Sequence, residues 1–139
     1  MNGPLKSSIV ILPNSDESST APPDMDQAMD GKFIVIAGPT ILALIYGHID
    51  RYEYHADLVK RYCDMNDIAS GWVKKPDVYR IFDKAYRILG GGWLEKPAHV
   101  RRLKFYGTST AYGPFTEGDI RRVFDGQAAF RDYGLVFID

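Results

Sequence analysis

The chain has 139 residues, 45% apolar and 25% charged, with a formal net charge of −1 at pH 7. That length supports one domain around one core, and this composition is ordinary for a globular protein. Near-neutral charge argues against a broad nucleic-acid footprint, which needs a basic surface, and a single cysteine, Cys63, excludes an internal disulfide and any multi-cysteine metal site.

Ser8 to Leu12 reads as a short strand closed by Pro13. Residues 14–30 are rich in Ser, Asp, Pro and Thr and have no periodicity, which predicts a mobile acidic loop ended by Gly31. Lys32 to Ala37 is the strongest strand in the chain. Gly38-Pro39 then marks a turn into a second apolar run, Ile41 to Tyr46, so the two form a hairpin. Both runs are almost continuously apolar, which places them centrally in a sheet covered on both faces.

Asp50 with Glu53 three residues later resembles a capping box and predicts a helix start there. Leu58, Val59, Tyr62, Cys63 and Met65 recur at helical steps as its apolar face, and Gly71 is its expected end. Val78, Tyr79, Ile81, Phe82 and Ala85 suggest a second short helix after Lys75-Pro76. Arg87 to Leu89 and Trp93-Leu94 flank three glycines, which reads as one strand with a glycine kink or bulge. Arg101 to Tyr106 is a further strand, Thr116 with Asp119 caps a last helix, and Leu135 to Ile138 closes the chain as a strand. The order predicts a single-domain α/β sandwich: a mixed sheet of about five or six strands flanked by helices.

No apolar run reaches the roughly 18–20 residues that span a bilayer, and Ile9 to Leu12 is too brief for a signal-peptide core. The expectation is a cytoplasmic protein that engages neither membrane nor nucleic acid.

Chemistry concentrates after the Arg101–Tyr106 strand. Gly107, Thr108, Ser109, Thr110 and Ala111 are small, so backbone N–H groups can face outward unshielded. Such amides beside glycine form anion-binding nests, and the hydroxyls add donors. Arg101, Arg102 and Lys104 add positive potential. The stretch is therefore either a phosphate cradle or a plain turn between strand and helix, and it matches no Walker or dinucleotide pattern.

Among three histidines, His55 stands near the apolar face at the start of its helix. It reads either as a core-edge histidine or as a base kept neutral by the helix N-terminus. Lys32, opening the strongest strand, is either a solvated strand end or a phosphate clamp. No His-x-x-x-His spacing occurs, and Asp57 points elsewhere on a helix, so neither metal nor cofactor is expected.

Three segments, in order, resemble the phosphohistidine phosphatase family, which includes the janus and ocnus proteins. They are Ile-Val-Ile-Leu-Pro with the later Gly-Lys-Phe-Ile-Val-Ile; Glu53-Tyr54-His55-Ala56-Asp57-Leu58; and Leu89-Gly90-Gly91-Gly92 followed by Tyr106-Gly107-Thr108-Ser109-Thr110-Ala111-Tyr112-Gly113-Pro114. The family reads Gly-x-Phe-Lys-Tyr-Val-Leu-Ile, Glu-Tyr-His-Ala-Asp-Ile, Leu-Gly-Gly-Gly and Tyr-Gly-x-Ser-x-Ala-Tyr-Gly-Pro at these places. The resemblance implies a small α/β protein histidine phosphatase that works without metal or cofactor. It carries the catalytic histidine, as general base or nucleophile, onto His55, the phosphate-binding lysine onto Lys32, and the binding loop onto Ser109, Thr110 and Ala111 with their flanking amides.

The chain also departs from that pattern. Trp93 stands where the family has an arginine after the triple glycine, and Gly47 stands at a second arginine position. The stretch around Trp72 to Phe82 has no counterpart. The alternative is accordingly a non-catalytic or divergent relative that binds a phosphorylated partner or small anion.

Overall fold

A computed structural model describes residues 5–13 and 26–138. Eight strands and two helices follow in order: β1 (Lys6–Ile11), β2 (Met29–Ala37), β3 (Ile41–His48), α1 (His55–Asn66), β4 (Ser70–Lys74), β5 (Val78–Ile81), β6 (Arg87–Lys96), β7 (Arg102–Tyr106), α2 (Glu117–Phe124) and β8 (Gly134–Phe137). Six strands form one mixed sheet in the order β1-β3-β2-β6-β7-β8, and β4-β5 form a separate hairpin. The α/β class and the mixed six-stranded sheet match the sequence expectation.

Alternation along β2 sorts the core into two layers. Ile34 and Ile36 point to one face and pack with Ala43, Ile45, Ala56, Leu58, Val59 and Tyr62 under α1. Phe33 and Val35 point to the other and pack with Leu44, Leu94, Phe105, Ile120 and Val123 under α2. Covering both faces explains why β2 and β3 read as unbroken apolar runs.

Several expectations are corrected. Asp50 does not cap α1: its N–H is held by His48 Nδ1 at 3.1 Å in a turn, and the helix begins at His55 with Tyr54 as N-cap. The reciprocal bond comes from Asp57, whose carboxylate accepts the Tyr54 N–H at 3.2 Å. α1 stops at Asn66 rather than near Gly71, because Asp67 turns left-handed at φ 52° and donates to Cys63 O. Met65 is 53% exposed and lies off the apolar face.

The predicted second helix is instead the β4-β5 hairpin. Tyr79 is buried, Arg80 exposed and Ile81 half-buried, a period of two that outweighs helical spacing over so short a stretch. Of the loop expected over residues 14–30, positions 14–25 lie outside the described residues, and Met29 and Asp30 already belong to β2. Gly31 therefore sits inside a strand. A Cβ there would lie 2.1 Å from Gly47 O, so the close approach of β2 to β3 requires glycine. Ala128 leaves α2 and joins a short 3₁₀ turn, Ala128–Phe130. Among the described residues no helix is long and apolar enough to cross a membrane.

Candidate functional site

The triple glycine of β6 is the floor of the site. A Cβ on Gly90, at φ 120°, would lie 2.0 Å from Pro114 O; one on Gly91 would lie 2.4 Å from Phe33 O and 3.1 Å from His55 Cδ2; one on Gly92 would lie 2.6 Å from Tyr106 O. No side chain fits at any of the three, so the loop after β7 and the imidazole of His55 rest directly on strand backbone. The expected bulge is present as a register shift at Val35/Ile36, opposite this segment.

His55 opens α1 and is 8% exposed. Its Nε2 lies 3.0 Å from Gly92 O. A carbonyl only accepts, so Nε2 carries the proton and Nδ1 holds the lone pair. Nδ1 has no protein partner among the described residues. Burial lowers the His55 pKa below 6.5, the Gly92 bond opposes this, and the Lys32 charge lowers it further. The positive end of α1 acts in the same direction. The imidazole is thus held toward its neutral form, with Nδ1 as its basic nitrogen.

The loop is clamped one residue away. Ser109 N–H donates to Gly91 O at 3.0 Å, Gly91 N–H donates to Gly113 O at 3.1 Å, and Gly113 N–H donates to Ser109 O at 2.8 Å. Ser109 is turned inward, 1% exposed, and its Oγ accepts the Tyr112 N–H at 3.2 Å. This differs from the expected role of Ser109 as an outward donor, because both its amide and its oxygen are committed to holding the turn. Gly107, Thr108, Thr110 and Ala111 are exposed. No acceptor is found among the described residues for the N–H groups of Gly107, Thr108, Thr110 and Ala111, and these are the open donors of the loop.

Lys32 lies on the α1 face of β2, in register with Gly47 on one side and Trp93 on the other. Its Nζ donates to Glu53 O. It sits 4.9 Å from the centroid of the Trp93 ring and 5.8 Å from that of Tyr54. Burial lowers its pKa, while Glu53 and Asp57 raise it. The family pattern sets its lysine after the phenylalanine, where this chain has Ile34. Ile34 is fully buried under α1, and Lys32, two residues earlier on the same face, is the ammonium whose charge reaches His55.

Trp93 is the main departure in three dimensions. One side of its ring meets the Lys32 ammonium, and the ring stacks on Tyr106 at 6.4 Å and 20°. A Cβ on Gly107 would lie 2.6 Å from Trp93 Cδ1. The indole therefore occupies the space between Lys32 and the first residue of the loop. Gly47 is closed as well: a Cβ there would lie 2.5 Å from Tyr52 and 2.6 Å from Leu58. Of the basic strand, Lys104 is paired to Glu95 at 2.9 Å and Arg101 to Asp132 at 3.4 Å, so their charge is largely spent locally.

Sequence reasoning missed Tyr54, Tyr106 and Tyr112. Tyr54 and Tyr106 are set beside Lys32 and Trp93 by helix placement and strand register, for which no local signal exists. Among the described residues no group of three or more His, Cys, Asp or Glu side chains is arranged to hold a metal. Compared with known proteins, the chain matches no family model and no curated protein.

Proposed function

We propose that the His55 site hydrolyses a phosphoryl group carried on nitrogen, with a protein phosphohistidine as substrate. One observation carries the reading: a neutral imidazole and an open-amide turn are fastened to adjacent residues, Gly92 and Gly91. Both are thereby tied to one short stretch of a central strand.

The P–N bond is labile, so catalysis needs placement and charge stabilisation more than covalent help. The amides of Thr108, Thr110 and Ala111 hold phosphoryl oxygens as charge grows on them. His55 Nδ1 takes a proton from water as the water oxygen attacks phosphorus. The P–N bond breaks, its electron pair goes to the leaving nitrogen, that nitrogen takes a proton from solvent water, and the His55 imidazolium returns its proton to solvent. Lys32 contributes a nearby positive charge that keeps His55 neutral and, once released from the indole, meets a phosphoryl oxygen. In the variant mechanism Nδ1 itself attacks phosphorus and is transiently phosphorylated.

Trp93 favours a second reading of a different class. With its ammonium capped by the indole and by Glu53 O, the chain binds a phosphorylated or anionic partner without turning it over.

Turnover of phosphoramidate and of a phosphohistidine peptide tests both. The first reading expects hydrolysis by the wild-type protein and a loss of roughly 10²–10⁴-fold in folded His55→Ala. Rapid-quench capture of phospho-His55 selects the nucleophile variant. Phosphate binding with no turnover selects the second reading, and an active His55→Ala rejects His55 as base and as nucleophile.

A further inference from the structure

We propose that Tyr112 and the β4-β5 hairpin position the anion loop; what the loop binds rests on the reading above. The Tyr112 phenol accepts the Tyr79 N–H at 2.9 Å and donates to Tyr79 O at 2.6 Å. It occupies the outer edge of β5 as a strand residue would, satisfying both backbone groups of Tyr79. The loop thus has two anchors. Ser109 and Gly113 are bonded to Gly91, and Tyr112 is bonded to β5. Thr110 and Ala111, which carry two of the open amides, lie between them.

The second anchor does not end at β5. Ser70 Oγ donates to Ile68 O at 2.9 Å, so it accepts from the Tyr79 hydroxyl, also 2.9 Å away. Ile68 N–H in turn donates to Cys63 O in the last turn of α1. Trp72 packs edge-on against Tyr79 at 5.1 Å and joins the core beneath α1. A continuous chain of bonds therefore runs from the loop through the hairpin to the C-terminal end of the helix whose first residue is His55. Donors aimed at developing charge act only if they are aimed beforehand, and this chain does the aiming. The hairpin that the family pattern lacks thereby has a role.

Tyr112→Phe keeps the ring and removes both bonds. Backbone ¹⁵N relaxation reads Thr110 and Ala111 directly, titration with inorganic phosphate reads binding, and phosphoramidate kinetics separate KM from kcat. The expected result is an order parameter at both residues falling from about 0.85 toward about 0.6. Phosphate Kd should rise and kcat/KM fall about tenfold, one hydrogen bond's worth of placement, with part of the loss in kcat because the amides act on developing charge. Thr116→Ala, which removes the cap of α2 on the opposite face, is the control: it lowers Tm without moving Kd. Order parameters unchanged in Tyr112→Phe, or a loosened loop with phosphate Kd within twofold of wild type, overturns the proposal. Wild-type protein that neither binds phosphate nor hydrolyses phosphoramidate overturns the functional reading instead, and the order parameters alone then decide whether Tyr112 holds the loop.

Discussion

Gly91→Ala is the most demanding test of the site's construction. The new Cβ would stand 2.4 Å from Phe33 O, 3.0 Å from Ile34 Cδ1 and 3.1 Å from His55 Cδ2. The first contact is with the backbone of the neighbouring strand, which cannot rotate away, so β2 and β6 must separate by most of an ångström. Overpacking of this kind costs about 1–3 kcal/mol. For a domain of this size each kcal/mol lowers Tm by roughly 4 °C, so a drop of about 4–12 °C is expected. The same methyl group presses on the imidazole and lifts it from Gly92 O, and a misplacement near 1 Å costs on the order of 100-fold in rate. Differential scanning fluorimetry and a phosphoramidate assay measure the two effects. Gly118→Ala is the matched control: nothing lies within 4 Å of a Cβ there, and the residue is helical, so Tm should be unchanged or slightly higher. Gly91→Ala with wild-type Tm and a wild-type phosphoramidate rate would mean that the strand does not form the site floor, and the reasoning from backbone contact would fail.

Two further outcomes follow from the charged groups. A cation–π contact at a half-exposed site contributes about 0.5–1 kcal/mol, so Trp93→Ala should release Lys32 and tighten inorganic phosphate binding roughly two- to fivefold, at lower Tm; isothermal titration showing weaker binding would make the indole part of the binding surface. His55 titrates below its ordinary 6.5. Between that folded pKa and 6.5 the unfolded chain binds more protons, so His55 contributes stability that is present above 6.5 and lost as pH falls through the folded pKa. Urea unfolding of wild type minus His55→Ala should therefore give a difference that shrinks on acidification below 6.5, and the acid limb of kcat/KM should lie in the same window. A limb above 6.5 would assign the essential base to another group.

Much of the architecture was legible from local pattern. Near-continuous apolar runs put β2 and β3 at the centre of a covered sheet, and Thr116 capped α2 through its bond to Asp119 N–H at 3.2 Å. Leu58, Val59, Tyr62 and Cys63 announced the buried face of α1 because helical period is written in the order of side chains. His55, Lys32 and the 107–111 loop could be singled out as residue types suited to anion chemistry. The short hairpin was misread, since five or six residues cannot separate a period of 2 from one of 3.6 when a proline turn divides them.

The sequence by itself determined the class of fold, the faces of its long elements and the small set of groups able to meet an oxyanion. Only the tertiary structure decided how those groups are used. Strand register put Trp93 beside Lys32, close packing on bare glycines put His55 and the loop on neighbouring peptide units, and an inward turn withdrew Ser109 from the surface. These are consequences of pairing between distant segments, Gly91 with Ser109, His55 with Gly92 and Lys32 with Trp93, and the free energy of such pairing depends on partners that no local window contains.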